Sequence, residues 1–422
     1  MHSVTNAIPT GTIASIPAKA HAHRALICAA LATSPSTILL SRTSKDIDAT
    51  MDSLRGLGAH VVYENKIVTV TPGPAPVKGN VVPHESGTTL RLLLPVAASI
   101  CNDADVDAKG RLPDRPLEPM LGEMKAHGVT FSQDKPPFTM TGRLQGGNFS
   151  MVGDVSSQFF SGLLLAAPQI GLSTITSTTP LQSSDYVTLT TETMRDFGVE
   201  VEHTLPDTNI NEAFTVPFGA SFIGRDNYQI EGDWSNAAIW MVAAGMTGKP
   251  ITITGMNKNS VQADRRIMQV MIDAGCDVVW DGMNVTVTGR ASKPIHADLE
   301  QMPDMLPVMA ALACSISGES SFVKGARLRL KESDRLVAVA NLIRDFGGTV
   351  CEEGDDLYII GSGILKGGHG DCVNDHRLVM AGTLMALISE NPVTLQDSEA
   401  ITKSYPDFFE DWNLLGGNAQ PV

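Results

Sequence analysis

The chain has no surplus of positive charge: 31 Lys and Arg stand against 46 Asp and Glu, for a formal charge of −15 at pH 7. Nucleic acid and anionic membrane surfaces need a basic face, so this balance argues against both as partners and leaves room only for a small basic pocket. Closely spaced cysteine pairs are missing too. The six cysteines, at positions 28, 101, 276, 314, 351 and 372, are scattered, mostly in apolar stretches such as ALICAALA and MAALACS. That pattern points to buried free thiols in a reducing compartment rather than disulfides. No apolar run is long enough to span a membrane. The opening MHSVTNAIPTGTIASI also lacks the basic segment and apolar stretch of a secretory signal. The expectation is a soluble, cytoplasmic protein.

Hydrophobic residues make up 43% and charged residues 18% of 422 positions, enough apolar matter for two or three packed cores. One arrangement recurs six times: a polar or small cluster followed by an Ala- and Gly-rich apolar helix. The copies are AKAHAHRALICAALA (18–32), ESGTTLRLLLPVAAS (85–99), SSQFFSGLLLAAP (156–168), WSNAAIWMVAAG (234–245), PDMLPVMAALACS (303–315) and NDHRLVMAGTLMAL (374–387). Anchored on Lys19, Gly87, Ser157, Ser235, Asp304 and His376, the steps are 68, 70, 78, 69 and 72 residues. Between them lie amphipathic helices ending in Gly before Val-rich runs, such as DIDATMDSLRGLGAHV (46–61) and SDRLVAVANLIRDFGGTV (333–350). Strand segments such as STITS and hairpins such as DVVWDGMNVTVTG fill the gaps.

The repeat is therefore a βαβαββ unit of about 70 residues. The longest step places a seam after the third copy. The sixth copy lacks a trailing hairpin, which the N-terminal dozen residues are expected to complete. The expected domains are 14–227, and 1–13 with 228–422. An apolar helix buried on all sides brings its unpaired N–H groups and positive dipole end out at one face. Three such starts per domain, facing one cleft, would attract anions. Lys, Arg, Ser, Gln and Asp cluster at those starts, and Arg suits a bidentate grip on carboxylate and phosphate.

These stretches, with LPDRP, SSDY, LKESDRL and KSYPDFF, stand in the order and spacing of a known family. The chain resembles the enolpyruvyl transferases, in their shikimate branch, over nearly its whole length. The resemblance implies a two-domain, inside-out α/β barrel-like fold with six βαβαββ units, three per domain, and an active site between the domains. It also implies transfer of the enolpyruvyl group of phosphoenolpyruvate to the 5-hydroxyl of shikimate 3-phosphate, by a monomer with no metal and no organic cofactor.

By the same resemblance, shikimate 3-phosphate is held by Lys19, Arg24, Ser156, Ser157, Gln158, Ser183, Tyr186, Asp304 and Lys331. Phosphoenolpyruvate lies among Lys19, Gly87, Arg115, Gln158, Arg335, Arg377 and Lys403. Asp304 is the expected base at the 5-hydroxyl, Glu332 the acid at the methylene carbon, Lys19 a third catalytic group and His376 a supporting one. The first loop departs from the family, with Ala18 and Ala20 where Ser is usual. Glu85 stands where some members carry Asn, with consequences for phosphoenolpyruvate or glyphosate binding.

Plainer readings exist for several of these residues. Ser156 and Ser157 suit a helix N-cap, Lys331 and Glu332 a solvated first helical turn, and His376 a satisfied structural histidine. His21 and His23, two apart on a helix, do not face each other as metal ligands would. Two alternatives to the main function are a transferase acting on UDP-N-acetylglucosamine and a paralogue that binds without turnover. The first carries a Cys in the loop that here reads GRLPDRP; Ala18 and Ala20 are what favour the second.

Overall fold

A computed structural model describes residues 1–207 and 211–422. The chain divides into a continuous unit, Pro17–Ile230, and a split unit, Met1–Ile16 with Glu231–Val422. Each seam lies three residues beyond its expected position, for a backbone reason. Ser15 N–H bonds to the Thr254 carbonyl and Asp233 N–H to the Ile16 carbonyl, both at 2.9 Å, which keeps residues up to 16 with the split unit. Tyr228–Gln229, in turn, pairs in parallel with Ser36–Leu39 and stays with the continuous unit.

The continuous unit has helices α1 (Lys19–Ala30), α2 (Lys45–Gly56), α3 (Gly87–Ile100), α4 (Met120–Ala126), α5 (Ser157–Ile170) and α6 (Asp185–Asp196). The split unit has α7 (Trp234–Thr247), α8 (Ile267–Asp273), α9 (Leu306–Ser315), α10 (Arg335–Asp345), α11 (His376–Met385) and α12 (Phe408–Leu414). The apolar helices α1, α3 and α5 pack on one another in the first unit, and α7, α9 and α11 in the second. Their side chains are almost wholly buried: in α7, twelve residues from Trp234 to Met246 are inside. Helices this apolar cannot face water on any side, so they form the centre and the sheets cover them. Gly162 permits a close approach of α5 to α3, since a Cβ there would lie 2.5 Å from the Arg91 carbonyl oxygen.

Around each trio stand three four-stranded sheets of one design. In the second repeat, Lys78–Val81 runs parallel to Asp103–Val106, which pairs antiparallel with Phe138–Thr141, and that strand with Thr130–Phe131. Alternation sets the faces: in Ile67–Thr71, Val68 and Val70 point inward and Thr69 outward. The amphipathic helices close with glycines in left-handed geometry, among them Gly58, Gly198 and Gly347, as the sequence pattern requires.

One expectation needs correction. The N-terminal residues do not complete the sixth repeat alone. His2–Val4 pairs between Val393–Gln396 and Ala419–Pro421 there, whereas Gly11–Ala14 adds in parallel to Ile251–Thr254 of the fourth. The two short strands enter two different sheets, one between two strands and one at an edge, and the chain between them is long enough to reach both. The amphipathic segment of the fourth repeat opens as a 3-10 turn at Ala263–Arg266 that leads into α8. Of the six cysteines, five are buried and Cys351 is exposed, all as free thiols.

Candidate active site

In the continuous unit, the starts of α1, α3 and α5 are tied together. Lys19, the first residue of α1, places Nζ 2.8 Å from Asp46 Oδ2 in the first turn of α2. The Asp46 carbonyl accepts from Thr89 Oγ1 of α3 at 3.3 Å. Gln158, in the first turn of α5, donates from Nε2 to Thr88 Oγ1 at 2.8 Å and accepts from Arg91 Nη1 at 3.1 Å. Ser156 is the N-cap of α5, its hydroxyl accepting the Gln158 N–H at 3.3 Å. Ser157 follows it, also buried. Gly87 opens α3 directly beneath the Arg115 guanidinium.

Arg24 is among the most enclosed of the expected ligands, with Arg335. It is 1% exposed. Nε donates to Thr190 Oγ1 at 2.7 Å, Nη1 to the Ala20 carbonyl at 2.7 Å, and Nη2 to the Tyr186 carbonyl at 2.9 Å and Ser161 Oγ at 3.3 Å. Four of its five N–H groups thus go to protein acceptors. Burial pulls it down to about 10, against the opposing pull of Tyr186 and Cys28, so it stays charged at neutral pH. Ser183, buried and with φ 54°, turns the chain into α6, and its carbonyl accepts the Tyr186 N–H at 3.1 Å.

In the split unit one guanidinium organises the site. Arg335 Nη1 lies 2.7 Å from Asp304 Oδ1, Nη2 lies 2.7 Å from Glu332 Oε2, and Nε lies 2.7 Å from Asp375 Oδ2. Nη2 also reaches Asp375 Oδ1 at 3.2 Å. Asp375, fully buried, caps α11 by accepting the Arg377 N–H at 2.9 Å and takes the Ser333 hydroxyl at 3.0 Å. Lys331 Nζ adds a second cation 3.0 Å from Asp304. Arg377 Nη1 donates to the Ser235 carbonyl of α7 at 3.4 Å, and Lys403 Nζ to the Asn374 carbonyl at 2.7 Å. His376, 3% exposed, has Nδ1 3.8 Å from Asp375.

Burial alone would raise the Asp304 carboxyl, but Lys331, Arg335 and Arg377 together hold it far below the usual carboxylate range. Burial likewise pulls Lys331 down against Asp304. Arg335, despite burial, is held firmly protonated by Asp375, Glu332 and Asp304. Asp264 behaves differently. Burial and the nearby Asp304 and Asp233 raise it to about 6, with Arg377 opposing. Lys331 and Glu332 therefore belong to a partly buried ion cluster, with side chains 19% and 22% exposed, and not to a solvated helical turn.

Three supporting residues lay outside the expected set: Asp46, Asp375 and Asp264. Asp375 stands immediately before a central helix, the position a capping carboxylate prefers, and that signal could have found it. Nothing local marks Asp46 as the partner of Lys19, 27 residues away. His21 and His23 meet separate partners, Tyr228 Oη at 2.8 Å and Thr50 Oγ1 at 2.6 Å. Among the described residues no group of three His, Cys, Asp or Glu side chains is placed to hold a metal ion. No helix among them is long and apolar enough to cross a membrane.

Helix starts loaded with cations and partly buried carboxylates, on three-fold α/β units, make an arrangement suited to small anionic molecules. The chain belongs to the EPSP synthase family: the model for EPSP synthase (3-phosphoshikimate 1-carboxyvinyltransferase) matches residues 7–412. It is 36% identical over 412 residues to a 3-phosphoshikimate 1-carboxyvinyltransferase of Clostridium kluyveri, covering 96% of this chain and 95% of that one. It is 34% identical over 417 residues to the protein of that name from Methanocorpusculum labreanum, covering 97% of each. The solved EPSP synthase of Acinetobacter baumannii superimposes with a TM-score of 0.80 at 22% identity, over 100% of this chain and 99% of the other, and so shares the fold.

Proposed function

We infer that the protein transfers the enolpyruvyl group of phosphoenolpyruvate to the 5-hydroxyl of shikimate 3-phosphate, releasing phosphate. Membership of the family supports this, as do relatives of that name over nearly the full length. The observation that carries it is the pair Asp304 and Glu332, both held by one buried guanidinium at 2.7 Å. The reaction needs two groups that take and give a proton at adjacent atoms, and a fixed Arg holds both at set positions.

In the proposed sequence, the 5-oxygen bonds to the central carbon of phosphoenolpyruvate while Asp304 takes the hydroxyl proton and Glu332 supplies one to the methylene carbon. The tetrahedral adduct then loses phosphate, and the new methyl group returns a proton as the double bond re-forms. Asp304 is a weak base among its cations, so its proton transfer must accompany carbon–oxygen bond formation rather than precede it. Lys19, Arg115, Arg377 and Lys403 are proposed to hold the phosphoenolpyruvate charges, with Gly87 and Gln158 beside them. Arg335 contributes mainly by fixing the two carboxylates, since four of its N–H groups are already given to them and to Asp375. Ser156, Ser157, Gln158, Ser183, Tyr186 and Lys331 are proposed for shikimate 3-phosphate, with Arg24 offering its remaining N–H.

A monomer in the cytoplasm agrees with the acidic chain and its free thiols. The decisive experiment is phosphate release with both substrates present. Sustained release supports the transferase. Binding of both substrates without release would favour the non-catalytic paralogue, and release with UDP-N-acetylglucosamine instead would favour that branch.

A further inference from the structure

Asp264, in the turn before α8, has no part in the steps above, yet it is 1% exposed and lies within the cationic cluster. Its Oδ2 accepts the hydroxyl of Ser235, in the first turn of α7. The carbonyl of the same Ser235 accepts from Arg377 Nη1 at 3.4 Å. One serine thus ties the carboxylate to the guanidinium, by its side chain at one end and its backbone at the other. The charges facing Asp264 come from each neighbouring element: Arg377 from α11, Asp304 from the turn before α9, and Asp233 from the cap of α7. Its own turn adds Arg265 and Arg266, whose Nη1 atoms donate to the carbonyls of Lys258 and Ala263.

We propose that Asp264 is a positioning residue for Arg377 that takes up a proton when an oxyanion occupies that guanidinium. Arg377 is the cation that favours the ionised form of Asp264, against burial and two neighbouring carboxylates. A second anion on the same guanidinium adds repulsion that the enclosed carboxylate cannot shed to water. It is relieved by one proton from solvent: the carboxylate becomes a carboxylic acid, and no other bond changes. The neutral acid still accepts the Ser235 hydroxyl through its carbonyl oxygen, so the tie to Arg377 survives. When the anion leaves, the proton returns to solvent. Already poised at about 6, Asp264 then couples affinity to pH. Because binding takes up a proton, affinity falls as pH rises above that value. The proposed function enters only through the identity of the anion, phosphoenolpyruvate.

The test is titration calorimetry of phosphoenolpyruvate in buffers of different ionisation heat, at several pH values from 5.5 to 7.5, on the wild type and Asp264→Asn. The ligand's own protons cancel in the comparison. The wild type should take up more protons per ligand than Asp264→Asn, with the excess greatest just above pH 6 and fading on either side. Equal uptake by the two proteins overturns the proposal and leaves the functional reading intact. An absence of binding at every pH would instead count against that reading. Should Asp264→Asn fail to fold, Ser235→Ala serves: removing the hydroxyl donor should move the uptake maximum to higher pH, and an unmoved maximum overturns the proposal. A merely structural Asp264 could lower affinity but would leave proton uptake unchanged.

Discussion

A Cβ added at Gly87 would lie 2.7 Å from Nη1 of Arg115, so the arginine occupies the space a side chain would need at the start of α3. Gly87→Ala must therefore push that guanidinium aside. The KM for phosphoenolpyruvate should rise about tenfold, equivalent to about 1.4 kcal/mol. Thermal stability should hold or improve, since Ala favours a helix over Gly by up to about 1 kcal/mol. Steady-state kinetics and a melting curve check both parts; an unchanged KM would remove Arg115 from the proposed grip.

Arg335 serves three carboxylates, one of them Asp375, which has no exposure. Arg335→Ala leaves that buried charge uncompensated and should cost about 3–5 kcal/mol of stability. Arg335→Lys should rescue little, because a single ammonium cannot meet three carboxylates in a planar fork. Denaturant unfolding would measure it, and a loss below about 1 kcal/mol would contradict the hub.

Glu332→Gln and Asp304→Ala should each lower kcat by about 10²- to 10⁴-fold, the usual range for a removed acid or base. Glu332→Gln keeps the side chain's shape and should change stability little, whereas Asp304→Ala leaves Lys331 without its carboxylate and should lower it. Near-normal phosphate release from either variant would withdraw its proton-transfer role.

Burial lowers His21 from 6.5 to about 4, with Asp196 opposing, and lowers His23 well below 6.5 as well. Both are neutral in the fold. Their contribution is fully present above pH 6.5 and is lost as pH falls, because the unfolded chain binds protons there first. At pH 5 His21 alone should cost about 2 kcal/mol, at about 1.4 kcal/mol per unit. Asp264 acts in the opposite sense: its contribution is complete below 3.8 and is lost as pH rises through about 6. His21→Gln isolates the first effect. Its stability should fall less than the wild type's between pH 7 and 5, and parallel curves would refute the assignment.

The six-fold repeat was readable because its helices are of two kinds, wholly apolar or one-sided, and each kind dictates burial by composition alone. The glycines closing the amphipathic helices and the Val-Thr alternation of the hairpins are equally local signals. The missing hairpin of the sixth copy pointed to the N-terminal residues, and His2–Val4 pairs there, but Tyr228–Gln229 and Gly11–Ala14 were not readable as partners of distant strands. Strands of two to four residues carry little pattern, and their pairing is settled by which sheet edge lies open. Among the site residues, Lys19, Asp304, Glu332 and Arg335 stood out by type and position. That Arg24 would give four of its N–H groups to Thr190, Ala20, Tyr186 and Ser161 depends on α1, α5 and α6 meeting in space.

By itself, then, the sequence determined the two helix types, the sheet-forming segments, the acidic exterior and the set of ionisable residues at the helix starts. Periodicity and composition act over a few turns of chain and need no long-range contact. Only the tertiary structure decided which groups meet: Lys19 with Asp46, Asp304 with Glu332 through Arg335, Asp264 with Ser235. Coulomb interaction and desolvation depend on distance through space, and separations of 27, 29 and 31 residues along the chain carry no record of that distance.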